Sequence, residues 1–266
     1  MPSGMWRSRI KRLEQAQPPR GAIPRDGVAL LQAHGITPDG WQRDALRSTA
    51  TRQLWCCARQ TGKSLCVSAM AWQTALSRPK SLILLVAPSL RQSSELMATV
   101  HSLKPPAVPV LQRSALRLTL ANRSRIIALP GLEETIRGFS GVTLLVLDEA
   151  ARIGDELYHA VRPMVAIGGG TIIGLSTPWG QRGWFYESYV GDEDWERTMI
   201  VASACPRIST AFLDQERRVL PRLFYESEYE CRFAQSGEGF FNMDDVAAAF
   251  FDDDTEPWEP TYGVAT

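Results

Sequence analysis

Gly62-Lys63-Ser64 is the tripeptide with which a phosphate-binding loop ends, and it follows the apolar run "QLWCCA" closely. A loop that joins a buried strand to a helix start presents backbone N–H groups, and the positive end of the helix dipole, to phosphate oxygens. In that setting Arg59, Gln60, Thr61 and Gly62 line the loop, Lys63 reaches the terminal phosphates, and the Ser64 hydroxyl ligates Mg²⁺. The full pattern is G-x-x-x-x-G-K-[ST], and five positions before Gly62, where its first glycine belongs, this chain has Cys57. A Gly-Lys-Ser tripeptide arises often by chance, so the loop needs support from elsewhere.

That support comes first from "TLLVLDEAA", where an apolar run leads straight into Asp148-Glu149. A strand that ends in a carboxylate at its C-terminal edge puts the acid where α/β sheets bind ligands. Asp148 can hold Mg²⁺, directly or through water, while Glu149 orients and activates a water toward a γ-phosphate. A helix N-terminus alone would explain an acidic residue here, with Asp148 as cap and Glu149 favoured by the dipole. It does not explain two carboxylates after a buried strand, downstream of a phosphate loop. The third element is "IIGLSTPWG", in which Ser176 and Thr177 end another apolar run. Hydroxyls beside the carboxylates can sense a γ-phosphate and pass its presence to a mobile element; alone, "STPWG" would read as a turn closing a strand. Together the three elements specify nucleoside triphosphatase chemistry.

These residues need a sheet to hold them. Continuous apolar runs in "QLWCCA", "SLILLVAPS" and "VTLLVLDEA" suit strands covered on both faces, and "GGGTIIGLSTP" and "RTMIVAS" supply two more. Helices are predicted over residues 41–49, 63–76, 90–102 and 155–166. "ALRLTL" and "SRIIAL" flank the turn "ANR" and predict an antiparallel hairpin at the sheet's edge. Alternation of strand and helix to about residue 203 predicts an α/β fold with a mostly parallel, right-handed sheet. From Thr210 the pattern turns helical, marking a small subdomain whose aromatic residues (Phe212, Phe224, Tyr225, Tyr229, Phe233) read as core packing rather than base-stacking platforms. The expected division is an arm (1–35), a core (36–205), a helical subdomain (206–242) and an acidic tail (243–266).

Composition is that of a globular protein: 266 residues, 44% hydrophobic and 22% charged. The net charge is +0, so any contact with a polyanion must come from a local patch. Arg7, Arg9, Lys11, Arg12, Arg20 and Arg25 make the first segment basic, and Asp244, Asp245, Asp252, Asp253, Asp254, Glu256 and Glu259 make the last one acidic. The five cysteines lack metal-ligand spacing and the three histidines lie far apart, a pattern of free thiols in a reducing compartment. No apolar run has membrane-spanning length, and no secretory signal opens the chain.

In order and spacing these motifs resemble the ATPase domain of tailed-phage large terminases, the motors that pump DNA into capsids. That family's loop reads Arg-Gln-x-Gly-Lys-[Ser/Thr] without the first glycine, and "ARQTGKS" matches it, which accounts for Cys57. "GWQRDAL" supplies the glutamine, Gln42, that reads adenine; Ala87, Pro88 and Gln92 match a segment after the second strand; "IRGFSG", "LDEAARI" and "LSTPWGQRGWFYE" also match, over residues 42–242. The resemblance implies a P-loop NTPase of the additional-strand type with ATP and Mg²⁺, the helical segment serving as a lid. It implies that Gln42, Arg59, Gln60, Thr61, Gly62, Lys63 and Ser64 bind nucleotide, that Ser64 and Asp148 hold the metal, and that Glu149 activates water. Ser176 and Thr177 would couple the γ-phosphate to the lid. Arg59 would answer the γ-phosphate in cis, while Arg137 is open to two readings: a finger offered to a neighbouring subunit, or a tight turn paired with Glu133 or Glu134. Arg182 is a further position for phosphate or DNA contact, against a solvated helix face.

Partners implied in the same way are double-stranded DNA, a portal protein and a small terminase subunit, with subunits forming a ring when assembled and a monomer in isolation, in the host cytoplasm and at the procapsid portal. The family continues into a ribonuclease H-type nuclease domain at about the point where this chain stops, so no cutting activity is expected of it. Two alternatives remain. A helicase-like ATPase shares the glutamine, loop and Asp-Glu elements but needs a second motor domain; a nucleotide-dependent assembly module would bind without hydrolysis, and would not need Glu149.

Overall fold

The computed structural model describes residues 23–131, 136 and 138–234. In chain order, helices α1 (Gly27–Ala33) and α2 (Gly40–Arg47) precede strand β1 (Arg52–Cys57) and helix α3 (Lys63–Ser77). Strand β2 (Leu82–Ala87), helix α4 (Leu90–Ser102) and strands β3 (Val110–Arg113), β4 (Arg117–Leu120) and β5 (Arg125–Pro130) follow. Then come β6 (Leu144–Asp148), α5 (Asp155–Val161), β7 (Thr171–Ser176), α6 (Gly183–Val190), β8 (Glu196–Ile200), α7 (Thr210–Val219) and α8 (Arg222–Glu230).

The strands form one sheet in the order β3-β4-β5-β2-β6-β7-β1-β8. All neighbours from β5 to β8 run parallel, and β4 is antiparallel to both β3 and β5. The apolar runs explain the centre of it. Every residue of β2 is buried, with Ile83 and Leu85 on one face and Leu82, Leu84 and Val86 on the other, as the two-residue repeat of a strand requires. One face is covered by α1–α4, whose inward residues include Leu31, Leu46, Trp72 and Met97. Trp72 is wholly buried, and its indole N–H donates to the Val100 carbonyl at 2.8 Å. The opposite face is covered by α5 and α6, where Trp184 stacks on Tyr158 at 4.0 Å.

The sheet is thus the mostly parallel α/β type that the sequence predicts, with two differences. The predicted hairpin, β4–β5, is present, but a third strand, β3, extends it outward with a register shift between Val110 and Gln112. Its residues are half-buried or exposed and follow a proline-rich stretch, so they lack the apolar signature of the inner strands. The helix predicted over 155–166 is shorter: α5 ends at Val161 and a 3₁₀ segment, Arg162–Gly168, takes over. Pro163, which has no N–H to continue the α-helical ladder, sits at the start of that segment.

The last two helices, α7 and α8, pack on the C-terminal end of β1 through a separate cluster of Cys56, Ala58, Ala202, Leu213, Tyr225, Tyr229 and Cys231. Tyr225 and Tyr229 are buried and stack at 5.1 Å, so these two rings are core.

Candidate active site

The order β6-β7-β1 brings the three sequence motifs to one edge of the sheet. Asp148 pairs with Leu175 in register, and Ser176 with Cys56, so all three strands end at nearly the same level. The loop follows β1, the carboxylates end β6, and the hydroxyl pair ends β7.

Cys57 is the last residue of β1, and its side chain is fully buried in the core. Burial pushes that thiol up to about 12, which removes it as a nucleophile or ligand at neutral pH. The loop itself is closed by Thr61, which is buried and donates from its hydroxyl to the Ala58 carbonyl at 2.9 Å. Two residues, Gln60 (φ 60°) and Gly62 (φ 89°), take left-handed backbone. At Gly62 a Cβ would stand 2.6 Å from Gln42 Nε2, so both the turn and the space require glycine.

Gln42 is almost fully buried. Its Nε2 donates to the Gly62 carbonyl at 3.2 Å, and its Oε1 accepts from the Asp39 N–H at 2.9 Å. Sequence reasoning missed Arg207 on the same side of the loop. Its guanidinium donates to the Thr61 carbonyl at 3.0 Å and to Asp39 Oδ1 at 2.8 Å. No local pattern marks Arg207, because both partners lie far away in the chain.

Lys63 opens α3 and pairs with Glu149: Nζ to Oε1 is 2.8 Å. Burial pulls the Lys63 ammonium down, but Glu149, with Asp148 behind it, outweighs this and leaves it raised. Glu149 has left-handed backbone (φ 50°, ψ 45°), and its Oε2 lies 3.5 Å from the Ser176 hydroxyl, which donates to it. Asp148 accepts from the Glu149 N–H at 3.1 Å and is buried, which, with the adjacent Glu149 charge, pushes its carboxyl up to about 6. Ser176 and Thr177 are both buried, and Ser64 lies in the first turn of α3.

This donor set fits Mg²⁺ carried by a nucleotide. Asp148 is a buried carboxylate whose ionised form wants a cation, and Ser64 offers a hard hydroxyl oxygen. Among the described residues no cluster of three or more His, Cys, Asp or Glu could hold a metal unaided. Mg²⁺ characteristically takes its remaining ligands from phosphate and water.

Arg59 is bonded to the helical subdomain. Its Nε and Nη2 donate to Glu228 of α8 at 2.6 and 3.0 Å, and its backbone N–H donates to the Glu228 carbonyl at 3.0 Å. Arg152, just after β6, approaches the same carboxylate at 3.9 Å and lies over the Trp179 ring at 4.0 Å. The neighbouring Ser227 donates from its hydroxyl to the Pro178 carbonyl at 2.8 Å. Adjacent residues of α8 therefore touch the phosphate loop and the segment after β7. Arg137, Glu133 and Glu134 lie outside the described residues, as do the basic stretch before residue 21 and the acidic tail; Arg182 is exposed at the N-cap of α6.

No protein-family model matches the chain. Curated relatives do: the large terminase subunits of Thermus phage G20c and of Thermus virus P23-45 are each 32% identical over 188 residues, which is 62% of this chain and 39% of theirs. The chain thus spans well under half the length of those relatives. Among solved structures, the large terminase ATPase domain of Thermus phage P74-26 superposes with a TM-score of 0.69 at 24% identity, over 80% of this chain and all of that one. The large terminase of another thermophilic bacteriophage, in complex with ATP-γ-S, superposes with a TM-score of 0.61 at 13% identity, over 79% of this chain and 52% of that one. The fold is that of a P-loop NTPase, and in sequence and architecture alike the chain resembles the ATPase domain of phage large terminases.

Proposed function

We propose that this chain is the ATP-hydrolysing motor domain of a viral DNA-packaging terminase, coupling hydrolysis to translocation of double-stranded DNA into a procapsid. The observation that carries the reading is the meeting of Lys63, Glu149 and Ser176 beside the loop, with Lys63 Nζ 2.8 Å and Ser176 Oγ 3.5 Å from the Glu149 carboxylate. Similarity to terminase large subunits, and the ATP-γ-S complex of the thermophilic phage protein, support it.

In this reading the loop N–H groups and Lys63 bind the phosphates, and Gln42 lies on the adenine side. Ser64 and Asp148 hold Mg²⁺, which supplies charge neutralisation at the phosphate oxygens. Glu149 orients the attacking water and accepts its proton, and Ser176 and Thr177 relay the γ-phosphate to α7 and α8. Arg137 completes a neighbour's site from its position in a ring. Double-stranded DNA, the portal and the small terminase subunit are the partners, and the host cytoplasm is the setting. Among the described residues no helix is long and apolar enough to cross a membrane.

The test is steady-state ATP hydrolysis by the purified chain, with and without double-stranded DNA, beside Glu149→Gln. Turnover that vanishes in the variant and rises with DNA is the expected result. Nucleotide binding with no turnover at any protein concentration would favour the assembly-module reading instead.

A further inference from the structure

At the N-terminal ends of the strands, away from the phosphate loop, the chain has a second concave site. There Arg52 opens β1, in register with Ile172 of β7, and the 3₁₀ segment Arg162–Gly168 leads into β7. Between them lies a cavity of about 450 Å³. Its wall includes the apolar residues Pro163, Val165, Ala166 and Ile172, and its two cations are Arg52 and Arg162. A space of this size and mixed lining is what a ligand or an inserted side chain needs.

The two guanidiniums are only loosely engaged. Each approaches Glu193 Oε2 at 3.8 Å, an ion pair too long to be a hydrogen bond. That oxygen already accepts the Trp195 indole N–H at 3.0 Å. Neither Arg52 nor Arg162 donates a hydrogen bond to any described residue. Nearby Arg197 shows the contrast, because it donates to the carbonyls of Ser188, Gly191, Glu193 and Trp195. Arg162 also lies over the Tyr158 ring, 5.9 Å from its centroid, a contact that leaves the N–H fork free. Two cations therefore share one carboxylate at the mouth of an apolar space, and all three side chains reach solvent: 39% exposed for Arg52, 36% for Arg162 and 46% for Glu193.

This arrangement suits an anion attached to something apolar. A free phosphate would use the arginines and leave the apolar wall bare. A nucleic-acid backbone would bring its row of phosphates against Asp192, Glu193, Asp194 and Glu196, all exposed on the segment that follows α6. We infer that the cavity docks a peptide segment of a partner protein in which one carboxylate adjoins a bulky apolar side chain. The carboxylate takes the place that Glu193 holds between the two guanidiniums, whose planar forks match it. The apolar side chain fills the space against Val165 and Ile172. Because the site lies at the opposite ends of the strands from Glu149, the inference stands apart from the reading of the nucleotide site.

The experiment is calorimetric titration of the chain with the blocked peptide Gly-Glu-Leu-Phe-Gly, with its glutamine counterpart, with inorganic phosphate and with a double-stranded oligonucleotide. The proteins are the parent, Arg52→Gln, Arg162→Gln, the double variant and Glu193→Gln. The acidic peptide is expected to bind the parent, and the glutamine peptide and phosphate are not. Each arginine substitution should weaken the peptide by about fivefold, the upper range for a half-exposed ion pair. Glu193→Gln removes the competing carboxylate and should tighten the peptide by about threefold. A merely structural role for these residues would lower the melting temperature and give no tightening. ATPγS affinity should stay level across the variants, so a failed nucleotide site and a failed peptide site are told apart. If the double variant does not fold, the single variants and the weakening expected at raised salt carry the same test. Absence of peptide binding, equal binding of the glutamine peptide, or binding indifferent to both arginines overturns the inference. Oligonucleotide binding that depends on the arginines, without peptide binding, overturns it in favour of a nucleic-acid contact.

Discussion

Glu149 holds a left-handed backbone, at φ 50° and ψ 45°, that an L-residue with a long side chain adopts at a cost of roughly 1–3 kcal/mol. Lys63 and Ser176 hold its carboxylate from two sides, so the side chain is fixed while the main chain is strained. Glu149→Gln preserves the shape but cannot accept a proton from water. It is expected to bind ATP about as well as the parent and to lose hydrolysis by roughly 10²–10⁴-fold, read by phosphate release beside a binding titration. Lys63→Ala takes away the cation that offsets a partly buried carboxylate and, in the proposed reading, a phosphate ligand. Nucleotide affinity should fall, and the melting temperature should fall with it. Gly62→Ala fails for a different reason: φ is 89° and the new methyl would stand 2.6 Å from Gln42 Nε2. A loss of about 1–3 kcal/mol is expected in chemical denaturation, together with weakened nucleotide binding, because Gln42 and the loop must separate.

At the scale of elements, α6 depends on a carboxylate from another helix. Asp155, the first residue of α5, accepts the Trp184 N–H at 2.7 Å, and Trp184 in turn donates its indole N–H to the Ile153 carbonyl at 3.0 Å. Asp155→Ala should cost about 1 kcal/mol, as loss of a helix-capping bond does, in a denaturation series where ATP affinity hardly moves. Such ties separate what the sequence could announce from what it could not. Helix α4 occupies the predicted 90–102, because Ser89 caps it with a bond to the Gln92 N–H and its apolar residues recur at helical spacing. Asp148 and Glu149 were legible because a carboxylate after "LLVL" is a local event. Seven-residue α1, whose Val28, Leu30 and Leu31 are buried against the core, is too short to show a clear period. Arg207 and Glu228 were invisible for a stronger reason. Their partners Thr61 and Arg59 lie 146 and 169 residues away, and no spacing rule reaches that far.

For the whole molecule, the phosphate loop, the carboxylates and the hydroxyl pair lie at the ends of three adjacent parallel strands, and one helical subdomain rests on two of these segments. If assembly supplies Arg137 from a neighbouring chain, two inactive variants should repair each other. Glu149→Gln cannot use its own site but can lend an arginine; Arg137→Ala has the reverse defect. Mixed in equal amounts, they are expected to hydrolyse ATP faster than the sum of the separate solutions, with the excess growing at higher protein concentration. A mixture no faster than that sum would favour the turn paired with Glu133 or Glu134.

All five cysteines are buried and unbridged. Cys56 lies in β1 just before the loop, and Cys231 ends α8 in a left-handed turn with its thiol donating to the Ile200 carbonyl at 3.3 Å. Closed off from solvent, none of these sulfurs can meet an alkylating reagent until the protein parts around it. The chain therefore carries its own stopwatch: at saturating reagent, the rate at which each thiol is tagged becomes the rate at which its surroundings open. Cys66 and Cys57, deep in the sheet's core, would time the unfolding of the whole. Cys56 and Cys231 would time the parting of the helical subdomain, with no cysteine introduced to see it move.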